Sequence, residues 1–139
     1  MFGAPGAKKS KKIQSGVPDW PTAKQLFVAM LIELLESGTW TWAHFEDNQS
    51  KNWVEVALDT DDLLINFRFP FRDTLAAVFS ERRIKVPECW KIEYFKKKKA
   101  ATFRVSGSDV DTIASFLDVV FRKLYECPDN YSVSGSLLC

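Results

Sequence analysis

The chain has 139 residues, enough for one domain with its own core, and its 46% apolar and 14% aromatic content is that of a folded protein. Its net charge of +1 conceals a division: Lys8, Lys9, Lys11, Lys12 and Lys96–Lys99 supply eight of the 19 positive charges, leaving 11 against 18 negatives in the rest. A body at −7 with two basic tags lacks the basic stripe of a nucleic-acid-binding fold.

The three cysteines, Cys89, Cys127 and Cys139, are odd in number and have no C-x-x-C or Cys/His spacing. Neither a zinc site nor a disulfide framework is expected, and a reducing, cytoplasmic setting is the simplest one. The longest apolar run, Leu26–Ile32, is far below the roughly 20 residues of a membrane span, so membrane insertion is not expected.

Residues 1–18, with four lysines, three glycines and two prolines, read as a basic tail. The tail is either a solvated arm or an anchor for an acidic partner, a phosphate backbone or an anionic lipid surface. Asp19-Trp20-Pro21 opens a helix that runs to Ser37 and stops at Gly38. Its apolar arc spans roughly 240°, against the ~100° stripe that a helix lying on a sheet requires. The excess falls on Leu26, Met30 and Ile32, and calls for cover from a third helix or from a partner chain.

Three strands in a meander follow over 39–45, 53–58 and 63–69, each alternating with period 2. Thr74–Arg83 is a short helix with Leu75, Val78 and Phe79 inward. In the next strand Trp90, Ile92 and Tyr94 are expected on the core side; Ala101, Phe103 and Val105 alternate in the return strand, and Lys96–Lys99 form the hairpin tip. Ser108 is the expected N-cap of the last helix, with Asp111 in its first turn. Val110, Ile113, Leu117, Val120 and Leu124 make one apolar seam, Pro128 closes the helix, and 128–139 is expected as a loose tail.

The order predicts one α+β domain over 19–127, a five-stranded antiparallel sheet in the sequence α-β-β-β-α-β-β-α with two long helices packed on one face. Trp53, Asn66, Arg68, Lys91, Glu93 and Arg104 fall on the face away from the core, an aromatic among mixed charges, as in interaction surfaces.

Chemistry is sparse. His44 is the only histidine, placed on a strand between Trp42 and Phe45, and a structural role is preferred to a catalytic one. The turn Asp59–Asp62 lacks the glycine and distal glutamate of a calcium loop, and no nucleophile elbow, zinc helix or phosphate loop is present. No cofactor is expected, although a carboxylate pair assembled by folding would leave no local spacing. Lys96–Lys99 either blunt a sheet edge against aggregation or contact phosphates.

The element order resembles that of type III secretion chaperones and of YbjN-related small bacterial domains, and Phe116–Pro128 is similar to their last helix running into a short proline-containing tail. The resemblance implies a non-enzymatic, chaperone-like protein, often dimeric, that binds an extended segment of another protein. The near-neutral charge and lysine clusters depart from the strongly acidic character of those chaperones. The expected function is accordingly protein binding or homodimerisation, through Leu26, Met30, Ile32, Trp53 and Arg68. The alternative is binding of nucleic acid or an anionic surface through the two lysine clusters.

Overall fold

The computed structural model describes residues 9–17 and 19–139. The α+β class holds, but the sheet has seven strands, not five. They are β1 (Ser10–Gln14), β2 (Trp42–Asp47), β3 (Trp53–Asp59), β4 (Asp62–Arg68), β5 (Lys91–Lys96), β6 (Ala100–Val105) and β7 (Val133–Leu138). Their spatial order is β1-β7-β2-β3-β4-β6-β5, with every neighbouring pair antiparallel. The helices are α1 (Ala23–Glu36), α2 (Leu75–Glu81) and α3 (Val110–Val119), the last continuing as a π-helical turn over Val120–Leu124. The two extra strands lie in the stretches expected as tails, and β7 is inserted between β1 and β2.

Each revision has a local cause. In β7, Val133, Gly135 and Leu137 face the core, while Ser134, Ser136 and Leu138 face away. Gly135 reads as a strand breaker, yet a Cβ there would come within 2.3 Å of the Met30 sulfur, so the position needs the smallest residue. In β1, only Ile13 gives an apolar cue; the strand holds through pairing with β7 and a 2.9 Å contact from Lys11 Nζ to Glu33 of α1.

A bulge between Ile92 and Tyr94 shifts the phase of β5. Ile92 stays opposite Phe103, but Tyr94 pairs with Thr102 and turns to the other face, while Phe95 turns inward to meet Phe69 edge-on at 5.1 Å. The expectation that Tyr94 lies on the core side is therefore overturned, and Phe95 takes that side instead.

Helix starts also move. Thr22, not Asp19, caps α1: its hydroxyl accepts the Gln25 N–H at 3.2 Å while the Gln25 side chain accepts the Thr22 N–H at 3.1 Å, a capping box. At α3 the Ser108 hydroxyl is occupied, accepting the Trp90 indole N–H at 2.7 Å. Asp109 takes the cap, accepting from Thr112 N–H at 2.7 Å, and this bond holds its carboxyl below the usual range.

All three helices pack on one face. Phe27 of α1 meets Phe45 edge-on at 4.9 Å and stacks on Phe121 at 5.7 Å, while Phe67, Phe79, Phe103 and Phe116 form a second aromatic knot. Such pairs add about 0.5–1.5 kcal/mol each to the burial term. Nine of the 16 Phe and Trp residues are buried this way, so the core absorbs most of the aromatic excess. Much of the wide apolar arc of α1 is absorbed too: Leu26 and Met30 are buried against the sheet and α3, whereas Ile32 and Leu35 remain 42% and 43% exposed.

Candidate functional site

The face of the sheet away from the helices is covered by no described element. Antiparallel pairing aligns one residue from each strand into a row across it: Lys12, Ser136, His44, Glu55, Asn66, Thr102 and Tyr94. The middle of the row is a continuous polar network. His44 Nδ1 lies 3.0 Å from Glu55 Oε2, Asn66 donates to Glu55 Oε1 at 3.4 Å, and Thr102 donates to Asn66 Oδ1 at 2.9 Å. Glu55 is only 1% exposed although no helix covers it, because its cover comes from neighbouring side chains. His44 stacks on Trp53 at 6.3 Å and meets Trp42 edge-on at 6.4 Å.

Those buried polar groups satisfy one another, which removes the cost of leaving them unpaired and fixes the rings above them. What the face offers outward is then aromatic side chains among charges of both signs, Glu46 and Glu93 included. Trp42 and Trp53 are half-buried, Tyr94 is 49% exposed, and Arg68 is exposed with its guanidinium donating to Asn52 Oδ1. Tyr94 stands four strands from His44, about 19 Å at the usual strand spacing. Arg104 lies between, clamped by Glu93 at 3.0 Å, Asp59 at 2.8 Å and Asp62 at 3.3 Å. The acidic turn thus serves as an anchor for arginine, and Arg104 in turn holds the Glu93 carboxyl below its usual range.

The expected contact residues separate. Trp53 and Arg68 lie on this open face, Ile32 is exposed on the opposite, helical side, and Leu26 and Met30 belong to the core and have no surface to offer. The cover that the wide arc calls for comes from α3 and β7 on the Leu26–Met30 side, and Ile32 alone of the three is left exposed. Sequence reasoning missed Trp42, Glu55 and Tyr94. Trp42 was signalled by its alternation with Ala43; Glu55 and Tyr94 needed the register and the bulge.

The lysine clusters do not converge. Lys8 lies outside the described residues. Lys9 and Lys12 are exposed, with Lys12 on the open face, whereas Lys11 turns to the helical side to pair with Glu33. Lys96, Lys97, Lys98 and Lys99 are exposed at the far edge, where the Lys98 N–H donates to the Phe71 carbonyl at 2.9 Å. Strands β1 and β5 are the two edges, six spacings or about 29 Å apart.

The Cys127 thiol is pushed up to about 12, by burial first and by the Asp47 carboxylate second, so it is a thiol and not a thiolate near neutrality. Among the described residues no group of His, Cys, Asp and Glu is arranged to hold a metal ion. Among the described residues no helix is long and apolar enough to cross a membrane. Comparison with protein-family models, curated proteins and solved structures finds no match to the chain.

Proposed function

We propose that the chain is a non-enzymatic, chaperone-like protein-binding module that holds a segment of a partner protein on the open face of its sheet. One observation carries this reading: a seven-stranded sheet has all its helices on one side, and its other side presents Trp42, Trp53, Tyr94 and Arg68 around a pre-organised polar row. Trp, Tyr and Arg are the residues that dominate binding energy at protein interfaces. The resemblance to secretion chaperones points the same way; it rests on the inner elements from α1 to α3, to which β1 and β7 are additions. The competing proposal, anion binding through the two lysine clusters, is weakened by their placement at opposite edges.

The test is affinity purification from the native cell, read by mass spectrometry, with the wild type, a Trp42→Ala/Trp53→Ala variant and a Leu35→Ala control from the helical side. A partner retained by the wild type and the control but lost by the double variant supports the reading. Recovery unaffected by the double variant overturns it. Light scattering of the same proteins reports whether a second copy of the chain occupies the face instead.

A further inference from the structure

On the helical side, remote from the open face, two hollows meet. The first, about 530 Å³, has apolar walls from Trp20, Val28 and Ile32. The second, about 700 Å³, is floored by Phe116 and Val119 and ringed by Arg83, Lys85 and Lys123. Lys24 and Asp111 line both, so the hollows form one groove across α1 and α3, apolar at one end and cationic at the other. The wall beyond α2 alternates: Arg83 and Lys85 face this groove, while Ile84 and Val86 face a separate hollow beside β5.

The cations at this end are left without an ion pair by the described residues, although Asp109 and Asp111 line the same hollow. Elsewhere Arg82, Arg104 and Arg122 are each held by one or more carboxylates. Lys24, Arg83, Lys85 and Lys123 enter no ion pair among the described residues; Lys123 Nζ donates only to the Arg83 carbonyl, at 3.1 Å. Two carboxylates line the same hollow, and that of Asp109 is committed to the α3 N-cap.

We infer that this groove is a docking site for an acidic amphipathic helix of a partner protein, with its apolar stripe on Trp20, Val28 and Ile32 and its acidic end among Arg83, Lys85 and Lys123. The complementary charge selects acid. The apolar end selects a protein over a nucleic-acid backbone, which has no use for it. The groove runs between helices with no free strand edge, so the main chain of the occupant must satisfy its own hydrogen bonds, as a helix does. The stretch of α1 from Thr22 to Ile32 is about 15 Å long, matching roughly three turns of the occupant. The inference stands apart from the open-face reading and survives its failure.

Selection from a displayed library of 14-residue helical peptides with random surface positions tests it. Selected peptides should carry apolar residues at i, i+3, i+4 and i+7 with Asp and Glu clustered at one end. Their affinity should fall at least tenfold with Lys85→Glu/Lys123→Glu, and separately with Ile32→Asp, but not with Trp53→Ala. All these sites are at least partly exposed, and a thermal melt verifies that each variant folds. An empty selection, peptides without acidic clustering, or binding indifferent to the charge reversal overturns the inference. So does an oligonucleotide whose binding alone depends on Lys85 and Lys123.

Discussion

Replacing Gly135 by alanine probes the most unexpected feature of the fold, the strand formed by the last residues. The added methyl carbon would sit 2.3 Å from Met30 Sδ, 2.9 Å from Met30 Cε and 3.4 Å from Phe45 Cδ1. Met30 is 1% exposed, so its thioether can give way only by repacking within the core. Overpacking of this kind costs about 1–3 kcal/mol. Loss of glycine's freedom in the unfolded chain returns about 0.4–1 kcal/mol, because Gly135 does not adopt the left-handed region. The net expectation is a destabilisation of about 1–2 kcal/mol.

With a urea m-value of about 1.5–2 kcal/mol/M, the midpoint should fall by about 0.5–1 M at unchanged m. Met30→Ala alone should cost about 2–5 kcal/mol by opening a cavity. The alanine methyl at 135 would occupy part of that cavity, so the double variant should be less destabilised than the sum by about 1–2 kcal/mol. A neutral or stabilising Gly135→Ala, with additive behaviour in the double variant, would refute the placement of β7 beneath α1.

Thr22→Ala removes the cap of α1 and should lower stability by about 1 kcal/mol in urea unfolding, with Thr22→Ser retaining most of it. The Tyr125 hydroxyl donates toward the main-chain carbonyls of Arg68 at 2.6 Å and Trp53 at 3.2 Å, tying the end of the last helix to β3 and β4. Tyr125→Phe should therefore cost about 1–3 kcal/mol by leaving acceptors unsatisfied, measured by the same assay. Glu93 and Asp109 both hold lower carboxyl pKa values folded than unfolded. Their contributions are complete above the ordinary values of 4.5 and 3.8 and are lost as pH falls through the folded ones. Thermal melts of the wild type should fall in acid more steeply than those of Glu93→Gln/Asp109→Asn.

How far the fold could be read from the residues depended on how each element earns its stability. Strands β2, β3 and β4 and the helices announce themselves by strict periodicity, since each buries a face of its own. Strand β7 does not, because its central inward residue is a glycine chosen by a neighbour 105 positions earlier in the chain, Met30. Strand β1 is polar throughout except Ile13, and only its partner makes it a strand. The bulge in β5 has no signature in Lys91–Lys96, yet it decides that Tyr94 and not Phe95 reaches the open face. Placing Trp53, Asn66, Arg68 and Arg104 together needed only alternation, and they do share that face. The Glu55–His44–Asn66 network needed the register between strands 11 residues apart, which alternation does not supply.

Site-specific photo-crosslinking measures the use of the open face most directly. A photoreactive phenylalanine analogue is placed at position 94, at position 53, or at position 35 on the helical side, and irradiated in the native cell. The expected result is a discrete protein adduct from positions 94 and 53 that disappears when Trp42 is replaced by alanine. Adducts from position 35 alone, or sheet-face adducts indifferent to Trp42→Ala, would contradict it.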